Sequence, residues 1–380
     1  LAFGRSEHQF GFLTDGVPPS RIWTSLFLVG ASSALVWYLL QRKGNILSIK
    51  GQMKEESSYH RLHFWKQLLH STWQIIAVGA GAPVGKEGAP REIGALLAPP
   101  LGRVLDLSFQ DRIFLIACGA GAGLAAVYQV PLTSVFFIFE TLGLAFSMKR
   151  FVLAGITTYV AAYTAGWVIS DRALYQVPEI TWSPTVLWQI VIFIAFLTPV
   201  AWLFARFTKK AANHRIKDKR ILITLPLAFV FLACLASFQP HLLGNGRMMA
   251  QEILNGATWQ TIFLLLTLKA LVVLLTFWAG AYGGTLTPSF ALGMAGAALI
   301  SLVLGVGNTP AFFLLGSVCF LTVTLKAPLS ATGLVLGFTG QGLTALPYLL
   351  LTAFLTVGFS KGLDHLMGKK IKESPVDKIQ

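Results

Sequence analysis

The chain has 380 residues, of which 54% are hydrophobic and 12% charged, and its net charge is +14. Soluble domains carry about a quarter of their residues as charges. So little polar material cannot coat a water-facing surface, which excludes an ordinary soluble domain and points to lipid as the solvent. The basic excess does not point to nucleic acid, because the charges flank apolar runs.

In chain order, apolar runs about long enough to cross roughly 30 Å of hydrocarbon cover residues 21–41, 151–170, 186–207, 221–238 and 261–281. Shorter runs, broken by Gly and Pro, cover 75–84, 113–127, 132–146, 286–306, 312–325 and 343–359. About eleven to fourteen membrane segments are expected in one all-α integral domain. Broken segments are tolerated where backbone is buried in protein or lines a cavity. The stretch "SYHRLHFWKQLLH" holds His60, His63 and His70 beside Trp65 and reads as a membrane-interface segment. Cys118, Cys234 and Cys319 stand singly in apolar runs and read as small core residues.

Charge placement predicts topology. The stretch "RFTKKAANHRIKDKR" (206–220) carries seven basic residues and one acidic. A second basic group gathers at Lys361, Lys369, Lys370 and Lys372. The positive-inside rule puts both on the cytoplasmic side of a multi-pass cell-membrane protein.

An internal repeat is also legible. "GKEGAP" ends on Pro90 and "VYQVPLTSVFF" contains Pro131, 41 residues on; "GGTLTPSFALG" contains Pro288 and "TLKAPLSATGLVLG" contains Pro328, 40 residues on. Each unit runs from a Gly-rich break through apolar segments to a Pro-Leu-Thr or Pro-Leu-Ser helix start. The expected organisation is a first membrane repeat over 1–205, a basic linker over 206–220, a second repeat over 221–367 and a tail over 368–380. The chain opens on Leu1 rather than Met, so the first repeat is expected to be incomplete at its start.

The Gly-rich breaks suggest a chemistry. A helix that starts inside the membrane has free N–H groups and a partial positive charge at its N-terminus. Hydrocarbon cannot satisfy those donors, whereas an anion can. Glu87, in "GAPVGKEGAPREIG", then reads as a tethered anion that competes for the site while ionised and leaves it when protonated. Other motifs fail: "GKEG" lacks the spacing of a phosphate-binding loop, and neither a zinc-protease His-Glu-x-x-His nor a Gly-x-Ser-x-Gly elbow occurs. No nucleophile–base pair presents itself, so an enzyme is not the reading.

These motifs together resemble the CLC family of chloride channels and chloride/proton antiporters, over nearly the whole chain. "GKEGAP" is similar to the family's Gly-(Lys/Arg)-Glu-Gly-Pro loop, with Pro one residue later. "GAGAGLAAVYQVPLTSVFFIFE" is similar to the segment after it. "GGTLTPSFALG" resembles Gly-x-Phe-x-Pro with Leu286 for Phe, and "LKAPLSATGLVLG" resembles the paired segment of the second half. The resemblance implies an inverted repeat of tilted, partly broken helices, a homodimer with one anion pathway per subunit, and no cofactor.

By the same resemblance Glu87 is the gate. Lys86, Gly88, Thr285, Leu286 and Thr287 hold the anion. Asn45, in "GNILS", stands where the family has a Ser that contacts it. Proton-coupled chloride members carry two successive glutamates after the Phe/Ile run; here the pair is Glu140-Thr141, and coupling through a carboxylate at 141 is expected to be absent. Glu87, Glu140 and Thr141 are the proton-pathway candidates. The family's anion-coordinating Tyr has no match near "FSKGLDHLM", where His365 is the nearest ring. Chloride is the leading substrate. The fluoride-exporting branch is the alternative, favoured by Asn45, Thr141 and the Thr287-Pro288 pair.

Overall fold

In a lipid solvent every backbone polar group must be satisfied within the protein, which leaves helices as the way for such a chain to fold. The computed structural model describes residues 17–42, 44–54, 56, 61–168, 173–184, 186–306 and 310–372, with backbone alone at 61–62 and 368–372. Among these residues the structure is all-α, with fifteen α-helices. They are α1 (Pro19–Gln41), α2 (Ile49–Lys54), α3 (Arg61–Gly79), α4 (Gly88–Val104), α5 (Phe109–Tyr128), α6 (Pro131–Glu140), α7 (Met148–Gly166), α8 (Val186–Asn213), α9 (Ile221–Phe238), α10 (Arg247–Leu254), α11 (Trp259–Ala279), α12 (Leu286–Leu304), α13 (Pro310–Leu325), α14 (Pro328–Thr339) and α15 (Leu346–Lys372). Seven segments are long and apolar enough to cross a membrane, and several shorter apolar helices lie between them.

The repeat is visible in the order of lengths. Helices α1 to α7 have 23, 6, 19, 17, 20, 10 and 19 residues. Helices α9 to α15 have 18, 8, 21, 19, 16, 12 and 27. Equivalent helices meet across the repeat, α1 against α9 and α6 against α14. The turns match as well. Gln129 and Lys326 both take a left-handed φ of 55°, and each stands two residues before the Pro that opens the next helix. Helix α8 packs mainly on α11, α12, α13 and α15. The sequence had grouped 186–205 with the first repeat; its contacts are with the second.

Without a hydrophobic force between helices in lipid, close packing depends on small residues at the crossings. The two halves use the same device. A Cβ on Gly94 of α4 would lie 2.0 Å from the Gly119 carbonyl oxygen of α5, and one on Gly293 of α12 would lie 2.4 Å from that of Gly316 on α13. Where α14 crosses α6, Gly333 and Gly337 face Thr133 and Val130.

Helix α3 corrects the reading of its sequence. The apolar run at 75–84 is only the end of a helix that starts fourteen residues earlier. Gln67, His70, Ser71 and Gln74 are all buried, while Trp65, Leu69, Ile75 and Ile76 are exposed. The polar stripe faces the protein and the apolar face points outward. His70 is therefore an interior residue, not an interfacial one, and His60 lies outside the described residues. Of the cysteines, Cys118 and Cys319 are buried, but Cys234 is exposed on α9.

Overpacking of a tight crossing costs about 1–3 kcal/mol or more. Gly94→Leu and Gly293→Leu should each lower the melting temperature or yield aggregated protein on size-exclusion chromatography. Gly155→Ala, where an added Cβ meets nothing within 4 Å, should leave both measurements near wild type.

Candidate functional site

The two Gly-rich breaks meet. Gly85 N–H donates to the Gly284 carbonyl (2.7 Å), and Gly284 N–H donates back to Gly85 (2.9 Å). This reciprocal antiparallel pair joins equivalent points of the two repeats. It sets the start of α4 beside the start of α12. Glycine is favoured here by space: a Cβ on Gly283 would lie 2.3 Å from a Val84 methyl carbon, and one on Gly88 would lie 2.8 Å from Gln74 Oε1.

Glu87 is the N-cap residue of α4, yet its side chain does not cap α4. It crosses the seam instead. Oε1 accepts from the backbone N–H of Leu286 (2.8 Å), the first residue of α12. Oε2 accepts from the Tyr128 hydroxyl (3.1 Å). The residue is fully buried. A carboxylate at an orphan N–H of a helix start is favoured both as a hydrogen bond and by the helix dipole. The slot it fills is lined by backbone: a Cβ on Gly284 would lie 1.8 Å from Oε1, and one on Gly85 would lie 2.3 Å from both oxygens.

Apolar and aromatic groups close the slot. Tyr128 packs on Phe338 with ring centroids 4.7 Å apart, and Tyr175 stacks flat on Phe290 at 4.5 Å. Such walls lower the local dielectric and strengthen each remaining dipole. Thr287 Oγ1 is buried with no hydrogen bond of ordinary geometry, and is thus a hydroxyl donor beside Leu286. The Nζ of buried Lys269 on α11 donates to the carbonyls of Leu242 (2.8 Å) and Gly244 (2.6 Å). That holds the 242–246 turn, where Gly246 rests on the first turn of α12.

Of the residues named from the sequence, Glu87, Gly88, Thr285, Leu286 and Thr287 gather at this seam. Lys86 stands close by, its Nζ 5.8 Å from the centre of the Tyr128 ring. Asn45 does not join them by any hydrogen bond; it is exposed, and its carbonyl accepts from Lys66 Nζ (3.2 Å). Glu140 is at the start of α14, where its carboxylate accepts from Leu329 N (3.0 Å), Ser330 N (2.8 Å) and Ser330 Oγ (2.7 Å). This is the same motif as Glu87 on α12, a carboxylate of one repeat held at a helix start of the other. The Thr141 hydroxyl is buried without a hydrogen-bond partner among the described residues. Sequence reading missed Tyr128, Gly284 and Lys269. Lys269 had a signal, as the one cation inside the apolar run 261–281. Tyr128 and Gly284 had none beyond their place beside breaks.

The fold and this seam define an all-α membrane protein whose broken helices start against one another inside the protein. Residues 29–361 match the family model described as voltage gated chloride channel, and the chain belongs to that family, whose work is anion transport across membranes. It is similar to the H(+)/Cl(-) exchange transporter ClcA of Vibrio cholerae, 27% identical over 90% of this chain and 77% of that one. Similarity to the ClcA of Vibrio vulnificus is 24% identity over 87% and 75%. Among solved structures it resembles a slow cyanobacterial Cl-/H+ antiporter with a TM-score of 0.79 at 20% identity, covering 97% of this chain and 92% of that one. It also resembles a CLC-type fluoride/proton antiporter with a TM-score of 0.66 at 17% identity, covering 90% and 96%.

A hydrogen bond to a charged group is worth about 1.5–3 kcal/mol. Tyr128→Phe should therefore loosen the hold on Glu87 and raise anion efflux from proteoliposomes at neutral pH by about tenfold. Efflux equal to wild type would show that this bond does not restrain the carboxylate.

Proposed function

We propose that this protein moves small anions, chloride foremost, along a path that the Glu87 side chain closes. One observation carries the reading: a fully buried carboxylate takes the Leu286 N–H at 2.8 Å, the position in which a negative ion would be bound. Ionised Glu87 occupies the site as a tethered anion. Protonated, it loses its attraction to the helix start and gives way to a free one. The dipole contribution, about 0.3–2 kcal/mol per helix end, is small enough to let the ion leave again, as conduction requires.

The names of the relatives support chloride and proton coupling. Position 141 supports weak coupling, because a Thr hydroxyl does not bind and release protons near neutral pH as a carboxylate does. Glu140 is already engaged as the cap of α14. The protein accordingly works as a gated conductance or a weakly coupled exchanger. Lys86, Gly88, Thr285 and Thr287 line the site with Leu286; Asn45 contributes only if its exposed loop turns inward. The basic linker and the C-terminal tail face the cytoplasm, and the working unit is a homodimer with a path in each subunit. A second reading, fluoride export coupled to protons, is favoured by the buried Thr287 hydroxyl beside Leu286, since a small, strongly hydrated anion needs a donor of that kind.

Glu87→Gln should keep anion efflux from proteoliposomes and lose its dependence on pH. An unchanged pH dependence would refute the gate. Parallel efflux traces with chloride and fluoride electrodes decide the substrate: faster chloride efflux supports the first reading, and fluoride efflux accompanied by proton uptake supports the second.

A further inference from the structure

A buried polar cluster lies behind the gate and takes no part in holding Glu87. Ser71 Oγ and Gln74 Nε2 donate to Glu92 Oε2 at 3.0 and 2.7 Å. His70 Nε2 lies 3.3 Å from the same oxygen and 2.8 Å from Gln74 Nε2. The His70 side chain is fully buried and that of Glu92 is 18% exposed. His70 Nδ1 is buried with no hydrogen-bond partner among the described residues. Ionisable groups inside a membrane domain are expensive, and they mark pathways for ions or protons more often than they add stability.

The cluster connects two places. Towards the basic linker, the His70 ring meets the Tyr282 ring edge-on at 4.6 Å, and the Arg215 guanidinium sits 3.7 Å from the centre of the Tyr282 ring. The Tyr282 hydroxyl donates to Gln41 Oε1 (3.0 Å), and Trp37 borders His70 at 6.4 Å. Towards the gate, Gln74 Oε1 reaches Gly88, where an added Cβ would lie 2.8 Å from it. Gly88 is the residue after Glu87. The charged and titratable groups that face the pair are therefore Arg215 from the linker and Tyr282 from the segment before α12; Arg91, next to Glu92 on α4, turns instead to the Glu87 carbonyl and the Phe137 ring, and α1 presents Trp37 and Gln41. Burial pulls the Arg215 guanidinium below its ordinary value, and Tyr282 and the Glu92 carboxylate offset part of that.

We propose that His70 and Glu92 form a proton-binding site that serves Glu87 from the linker side, in place of the carboxylate that position 141 lacks. The proposal rests on the reading of Glu87 as the gate. The pair has the right chemistry: an imidazole nitrogen and a carboxylate oxygen 3.3 Å apart, both groups that can take up and release a proton. The unpartnered Nδ1 gives it a second point of exchange. Gln74 does not pass protons itself. Its Nε2 holds the pair and its Oε1 lies against Gly88, which sets the pair beside the residue that follows Glu87.

The test uses the whole protein in oriented proteoliposomes, with pH changed on one side at a time and anion efflux followed by electrode. Glu92→Gln keeps the shape and the hydrogen bonds to Ser71 and Gln74 but cannot titrate; His70→Asn is the second variant. Each should shrink the response to linker-side pH by about tenfold or more, while the response to pH on the opposite side persists. Glu87→Gln should flatten both. A wild-type linker-side response in both variants, with Glu87→Gln flat, overturns this proposal alone. Equal loss on both sides in both variants assigns the cluster a packing role and also overturns it. A wild type indifferent to linker-side pH does the same. Persistence of both responses in Glu87→Gln overturns the gate, and the proposal with it.

Discussion

The hydrogen bond from the Leu286 backbone to the Glu87 carboxylate is the contact on which the site turns. It joins residues 199 positions apart, one from each repeat. It forms only because the two equivalent breaks pair through Gly85 and Gly284. The two glycines give backbone-to-backbone pairing and leave the slot that the carboxylate fills. The four charged residues of this break, Lys86, Glu87, Arg91 and Glu92, are placed in the same region. Glu87 takes a helix start of the other repeat, and Arg91 Nε ties back to the Glu87 carbonyl at 2.9 Å. Lys86 lies over the Tyr128 ring, and Glu92 closes the cluster on α3.

A buried carboxylate costs several kcal/mol unless something replaces its water. Here the replacement is two donors and a dipole rather than a tight ion pair at its oxygens. That choice suits transport. A fixed cation in contact would bind an anion too firmly to release it, whereas N–H and O–H donors hold it weakly and on several sides. The same economy recurs at α14, where Glu140 accepts three hydrogen bonds. The symmetry of the fold thus generates two carboxylate-capped helix starts. One is fully buried in the glycine slot, and the other is held by the Ser330 hydroxyl as well as by backbone.

Much of this could be read in the sequence, and the reasons for the gaps are physical. Helix α9 falls on the residues its apolar run marked, and the Pro131 and Pro328 starts fall where the repeat placed them. Glu87 stood out because a carboxylate between glycines in an apolar chain is costly. Helix α3 was misread because its polar stripe faces the protein, so hydropathy took an inward face for an outward one. Tyr128 and Gly284 were invisible because their role depends on a contact between distant breaks, which no local pattern encodes. The His70–Glu92 pair was hidden for the same reason, and His70 alone read as a membrane-interface residue. The placement of α8 against the second repeat is likewise a tertiary fact, since the apolar run at its start does not encode which helices it meets.

The account claims that the Glu87 side chain and a free anion compete for one place at the start of α12. Anomalous diffraction from bromide-soaked crystals of wild type and of Glu87→Ala tests this directly. The account predicts a bromide peak within hydrogen-bond reach of Leu286 N in the variant and none there in wild type with the side chain in place. Bromide at Leu286 N beside an undisplaced Glu87, or no peak there in the variant, would contradict it.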